Sequence, residues 1–233
     1  MFNVAWTVGS VALTMLAYQA SRGVNARFPS PLTNPIFLAV VGIMLVLTVP
    51  GFDYVPYRDG AEPLIALLGP ATAALAIPLY KHRAIVIAYF LPALSGMLCG
   101  AMATLFAAVV LAAGLELPPI LVRSIGIKSV TAPIAVELAP LIGGDPALTV
   151  ALVVATGILG AMLGPWMQDR AGVRDPVARG LALGTVSTGI GTAQAAMEGE
   201  IQGAVAGVAM GAAAVFVSMV APILIPRLVQ LLT

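Results

Sequence analysis

Residues 182–195 read ALGTVSTGIGTAQA. The surrounding chain is 60% hydrophobic, so hydropathy alone would draw one more membrane helix through this stretch. Yet the hydroxyls of Thr185, Ser187, Thr188 and Thr192 and the Gln194 amide are groups that lipid cannot satisfy. Gly184, Gly189 and Gly191 loosen any helix that holds them. Two readings are open. Small residues mixed with Ser and Thr let membrane helices approach closely, which makes the stretch a packing surface. Four hydroxyls and an amide within a few turns exceed what packing requires, which favours a discontinuous segment lining a polar cavity.

Composition sets the class. Only 9% of the 233 residues are charged, against about 25% in a soluble globule. Mean hydropathy is +1.04. Apolar blocks run over 2–20, 35–50, 64–79, 84–113, 129–143, 146–166, 180–196 and 203–226. A hydrocarbon core of about 30 Å takes about 20 helical residues, and a β-barrel would read as short alternating segments instead. The expectation is an all-α integral membrane protein, a polytopic helical bundle forming one transmembrane domain over 1–233 in the inner (plasma) membrane. The first twenty residues lack a basic leader and a small-residue cleavage site, so they read as a retained helix. Many of the 24 glycines and 18 prolines fall inside apolar blocks, which predicts broken or re-entrant helices. The block 84–113 is longer than one span needs and is expected to bend near Pro92 or Gly100.

A net charge of +1 gives no reason to expect nucleic acid, and the lone Cys99 excludes an intrachain disulfide and a thiolate metal cluster. No cofactor or metal is expected. Nor does any catalytic motif appear: His82, the single histidine, lies among cations in YKHR and reads as an interface residue. The run PSPLTNP, 29–35, reads as a turn into the next helix with Asn34 as its cap.

Basic residues in short joints tend to stay cytoplasmic. With the N-terminus outside, eight of the eleven lie inside: Arg22, Arg27, Lys81, Arg83, Arg170, Arg174, Arg179 and Arg227. Asp53, Asp59, Glu62, Glu198 and Glu200 then face out. The scheme requires residues 118–144 to enter and leave on one side. An inverted repeat fits it: Gly69, Thr72, Leu75 and Ala76 recur in spacing as Gly184, Ser187, Ile190 and Gly191. Short, glycine- and proline-interrupted segments at matching places in two halves point to a transporter's binding site.

The second polar stretch is KSVTAPIAVELAP, 128–140. Pro133 removes a backbone donor and frees a carbonyl behind Ser129 and Thr131, and the following helix presents unpaired N–H groups that attract an anion, with Lys128 adding a full charge. The alternative is a snorkelling Lys128 and a structural kink. Glu137 is either a site for a coupling proton or a residue at a re-entrant tip touching water, since facing lipid costs several kcal/mol.

At KSVTAPIAVELAPLIGG, TGILGAMLGPW, DPVARGLALGTVSTGIGTAQA and LLGPATAALAIPLYK the chain resembles the LrgB/CidB family of bacterial membrane proteins over nearly its whole length. That family also resembles the LrgB-like part of the plastid glycolate/glycerate translocator. Its bacterial members were first described as holin-like modulators of murein hydrolases, and some are associated with pyruvate uptake. The resemblance implies a transporter of small monocarboxylates such as pyruvate, glycolate or glycerate, working with an LrgA-type partner; a homo-oligomer is also expected. The family's motifs fall on Lys128, Ser129, Thr131, Pro133, Gly184, Ser187, Gly191 and Thr192. With Thr72, Thr188 and Gln194 these form the expected substrate site. Thr188 stands where the family usually has histidine, Gln194 where it has a basic residue, and Ile127 where it has proline. The alternative function is a holin-like pore or regulator of murein hydrolases, with no substrate site.

Overall fold

The computed structural model describes residues 4–67, 70, 73–74, 76–81 and 83–232, and these form helices and turns with no strand. The chain divides into two compact units, Met1–Ala74 and Leu75–Thr233.

In the first unit α1 (Val4–Arg27) turns back into α2 (Pro35–Thr48). A capping box of Ser30 and Thr33 closes the single 3-10 turn between them. The Asn34 side chain accepts from the Ile36 and Phe37 amides at 2.9 and 3.4 Å, the expected cap. Against α1 packs α3 (Tyr54–Gly60), where the hydroxyls of Thr14 and Tyr57 lie 2.8 Å apart. The short α4 (Glu62–Ala66) follows.

The second unit opens with α5 (Ala76–Lys81) and α6 (Arg83–Ala88). Next come α7 (Phe90–Gly114), α8 (Pro119–Gly126), α9 (Ala132–Leu141), α10 (Pro146–Arg170), α11 (Pro176–Glu198) and α12 (Glu200–Leu232). Three of these, α7, α10 and α12, are long and apolar enough to cross a membrane. At 1.5 Å per residue they measure about 37, 37 and 50 Å, against a core of about 30 Å. The apolar block 84–113 breaks at Tyr89, earlier than expected. Pro92 sits in the first turn of α7, where its missing N–H interrupts nothing, and Gly100 lies inside a continuous helix.

Neither α8 nor α9 is long enough to cross, at about 12 and 15 Å. After α9 the chain comes back to α8: the Asp145 amide donates to Ser124 Oγ at 3.0 Å. Gly143 takes φ +71° there, with the Arg123 guanidinium over its α-carbon. Val109, Val122, Ile127, Val130 and Ile225 are fully buried where α7, α8 and α12 meet, and Gly126 admits the tip of Ile225.

One contact overturns the sidedness scheme. In a straight helix residues 179 and 198 would stand about 28 Å apart. Instead Arg179 Nε lies 2.8 Å from Glu198 Oε2. Within α11 the backbone leaves helical geometry at Thr188, φ 51° and ψ −136°, and the two arms fold back on each other. Glu198 therefore shares a side with Arg179, which the charge bias had placed opposite it. Hydropathy reads residues 180–196 as a crossing because it registers composition and is blind to a reversal in mid-segment.

With Cys99 changed to serine, single cysteines replacing Arg174 and Glu200 should react with an impermeant maleimide from one face, and cysteines replacing Glu116 and Ala147 from the other. Labelling of 174 and 200 from opposite faces would restore a crossing α11.

Candidate functional site

The first arm of α11, up to Ser187, lies in a slot walled by three helices. Along α10, Gly157, Gly160 and Gly164 face Ile190, Ser187 and Leu183, an antiparallel register. On α12 the carbonyls of Gln202 and Ala206 lie against Gly180 and Gly184, which makes the first arm parallel to α12. From α7, Gly96 and Gly100 meet Leu181 and Thr185. A Cβ at Gly180 or Gly184 would meet backbone, which cannot give way. Small residues thus let these backbones approach, as packing in lipid requires.

The reversal is as tightly built. Gly191 lies against the Leu183 carbonyl and 2.5 Å, measured from where a Cβ would stand, from Ser187 Cβ. Thr192 Oγ1 donates to the Thr188 carbonyl at 2.9 Å, which pins the second arm to the turn. Thr188, a residue with a Cβ at positive φ, holds backbone strain of about 1–3 kcal/mol. Thr185, Ser187, Thr188 and Thr192 are all buried, and the Thr185 hydroxyl has no hydrogen-bond partner among the described residues. Gln194 is half-buried on the second arm.

The second polar group lies between α8 and α9. Lys128 Nζ donates to the buried Ser129 hydroxyl at 3.5 Å. Thr131 occupies the N-cap position of α9, but its side chain makes no capping hydrogen bond. Pro133 is the second residue of α9, exposed, and so begins a helix rather than interrupting one. The carbonyl that a mid-helix proline would free is therefore not created; the open N–H groups come from the helix start itself. Glu137 is exposed on α9, opposite the buried Ala135, Leu138 and Ala139.

The described contacts thus hold the predicted residues as two groups, Lys128 with Ser129, Thr131 and Pro133, and Gly184 with Ser187, Thr188, Gly191 and Thr192. Thr72 lies outside the described residues, as do Gly69 and Leu75 of the sequence repeat. Sequence reading missed the cluster at the base of α11, where Arg179 Nη1 reaches Asp169 Oδ1 at 2.6 Å while Nε holds Glu198. Its signal was the set of charges bordering an otherwise uncharged stretch. Among the described residues no cluster of three or more His, Cys, Asp or Glu is placed to hold a metal ion.

These features define an all-helical membrane protein in which two polar reversals pack among three helices of spanning length. The chain belongs to the LrgB-like family, whose model matches residues 14–227. It is 34% identical to YxaC of Bacillus subtilis over 185 residues, 79% of this chain and 80% of that protein. YwbG of the same organism is 35% identical over 189 residues, 80% and 83% of the two chains. The Holin-like protein CidB of Staphylococcus aureus is 28% identical over 215 residues, 92% and 94%. No solved structure matches the chain.

Thermal unfolding in detergent reads the packing. Gly184→Ala forces the arm off Ala206 and should destabilise by about 1–3 kcal/mol, whereas Gly211→Ala, with nothing within 4 Å, should not. Thr188→Gly should raise the midpoint by relieving the turn. A midpoint lowered by Thr188→Gly would contradict the strained geometry.

Proposed function

We propose that this chain is a transporter of small monocarboxylates, anions resembling pyruvate, glycolate or glycerate, in the inner (plasma) membrane. The observation that carries the reading is the start of α9, a ten-residue helix with no side-chain cap, beside a lysine held on a buried serine. A carboxylate leaving water needs several charge-assisted hydrogen bonds, each contributing about 1.5 to 3 kcal/mol. Helix N–H groups, the hydroxyls of Ser129 and Thr131 and the charge of Lys128 supply them. In this reading the reversal of α11 forms the opposite wall, with Ser187, Thr188, Thr192 and Gln194, and both short-helix pairs are re-entrant elements whose tips meet near mid-membrane.

An inverted repeat is part of the proposal, and it pairs other segments than the sequence match of 69–76 with 184–191. Support comes from α7 followed by α8 and α9, against α10 followed by the two arms of α11. Both long helices have 25 residues and carry Gly-Ala-Met, at 100–102 and 160–162. They run in opposite directions, α7 parallel and α10 antiparallel to the same arm. The face bearing Arg170, Arg174 and Arg179 is then cytoplasmic. Thr188 and Gln194 leave Lys128 as the charge for the anion. Glu137, exposed on α9, faces water, a second copy of the chain or an LrgA-type partner, and is the candidate for proton coupling.

The name of the CidB relatives, holin-like protein, favours a second reading, a holin-like pore or regulator of wall hydrolases. Proteoliposomes separate the two, because a transporter gives saturable uptake that a second carboxylate competes, and a pore leaks unrelated solutes without saturation. Lys128→Ala, or Ser129→Ala with Ser187→Ala, should weaken uptake at least about tenfold, equivalent to roughly 1.4 kcal/mol. Correctly inserted variants with the parent's rate and affinity would put the site elsewhere.

A further inference from the structure

Lys128 stands half-buried in the joint between α8 and α9, two helices too short to cross a membrane. Its Nζ has one hydrogen-bond partner among the described residues, the neutral Ser129 hydroxyl at 3.5 Å. All ten acidic residues of the chain are described, and none forms an ion pair with it. The helices packed on α8 and α9 explain why. Glu137 is exposed on α9, away from its packed face. At the start of α10, Asp145 accepts from the Leu148 amide at 2.7 Å, while Asp169 and Arg170 close its far end. On α12, Arg227 is exposed and Glu200 lies at the opposite end. The titratable group of α7 is the exposed Cys99, and α8 itself adds a second cation, Arg123, turned onto Gly143.

The joint ends at the start of α9, where Thr131 makes no capping bond and the open N–H groups carry positive partial charge. An ammonium in this place loses hydration, meets no counter-charge and lies near the positive end of a helix. Burial accordingly lowers the basicity of Lys128 from its ordinary value. A carboxylate seated on the same N–H groups reverses the balance, because an opposite charge within about 4–6 Å favours the charged form. Anion binding then raises the affinity of the amine for a proton, and by linkage the proton raises the affinity for the anion.

We propose that Lys128 is the group through which carboxylate binding takes up a proton, the empty site holding a neutral amine and the loaded site an ammonium–carboxylate pair. The proton comes from water on the side to which the site is open, the amine lone pair accepts it, and no covalent bond to the carboxylate forms. Carboxylate and proton enter together, so loading adds no net charge to the site, and Glu137 takes no part in this step. The inference rests on the carboxylate reading of the site, and it adds the stoichiometry of the proton and the atom that holds it.

Calorimetric titration of the purified chain with pyruvate, repeated in buffers of different ionisation enthalpy, counts the protons taken up per anion bound. Between about pH 7 and 10 the parent should take up as much as about one proton, the number falling to zero where the free amine is already charged or the loaded one no longer is. Lys128→Arg, which keeps a charge that does not titrate, should bind pyruvate with no proton uptake. Glu137→Gln should take up as many protons as the parent. Proton uptake undiminished in Lys128→Arg, or lost in Glu137→Gln, overturns the assignment. The parent alone decides if Lys128→Arg does not fold: pyruvate binding without proton uptake anywhere in that window overturns the inference and leaves the carboxylate reading standing. No pyruvate binding by the parent would instead remove the carboxylate reading, and this inference with it.

Discussion

The 2.8 Å contact between Arg179 and Glu198 joins residues that a continuous helix would hold a whole membrane thickness apart. Once those two meet, the path of α11 is constrained: it must reverse within its own length, and Thr188 is where it does so. A guanidinium that is mostly buried keeps its charge at tolerable cost only with carboxylates at hand. Asp169 and Glu198 provide them, so the same interaction that closes the hairpin also makes the burial of Arg179 possible.

The rest of the second unit is shaped to accept that hairpin. A 23-residue element folded double needs a slot wide enough for two arms, and the slot is made by removing side chains. Gly157, Gly160 and Gly164 on one wall receive the side chains of Ile190, Ser187 and Leu183, and Gly180, Gly184 and Gly191 on the hairpin itself bring backbones together that any Cβ would hold apart. The outcome is a buried set of hydroxyls at the turn. Thr192 is held by the Thr188 carbonyl, while the Thr185 hydroxyl has no hydrogen-bond partner among the described residues. The two readings of residues 182–195 thus divide by residue type. The glycines pack, and the hydroxyls collect where the arms meet, which is where the functional proposal places one wall of its site.

Local features were legible in the sequence where a short-range rule governs them. Asn34 caps α2 because its side chain reaches amides two and three residues on, and that depends on nothing distant. Membrane character followed from composition, and family membership from motifs in KSVTAP and STGIGTA that the family model bears out. Where pairing across the chain decides, sequence reading failed. Charge bias put Glu198 opposite Arg179, since only the folded chain shows that they touch. At Pro133 the open N–H groups of the following helix are where the sequence puts them, but no carbonyl is freed, because the proline begins α9 instead of interrupting a helix. Polarity at 185–194 announced an unusual segment, but not that it folds back on itself.

The account stands on α11 being a closed hairpin. Spin labels at Ala178 and Met197, on the exposed sides of its two arms, measure that directly by pulsed dipolar spectroscopy in lipid bilayers. A hairpin gives a distance distribution centred below about 20 Å, and a continuous helix gives about 28 Å or more. The short distance is what the structure requires; a single population near the longer one would contradict the reversal at Thr188 and the site built on it.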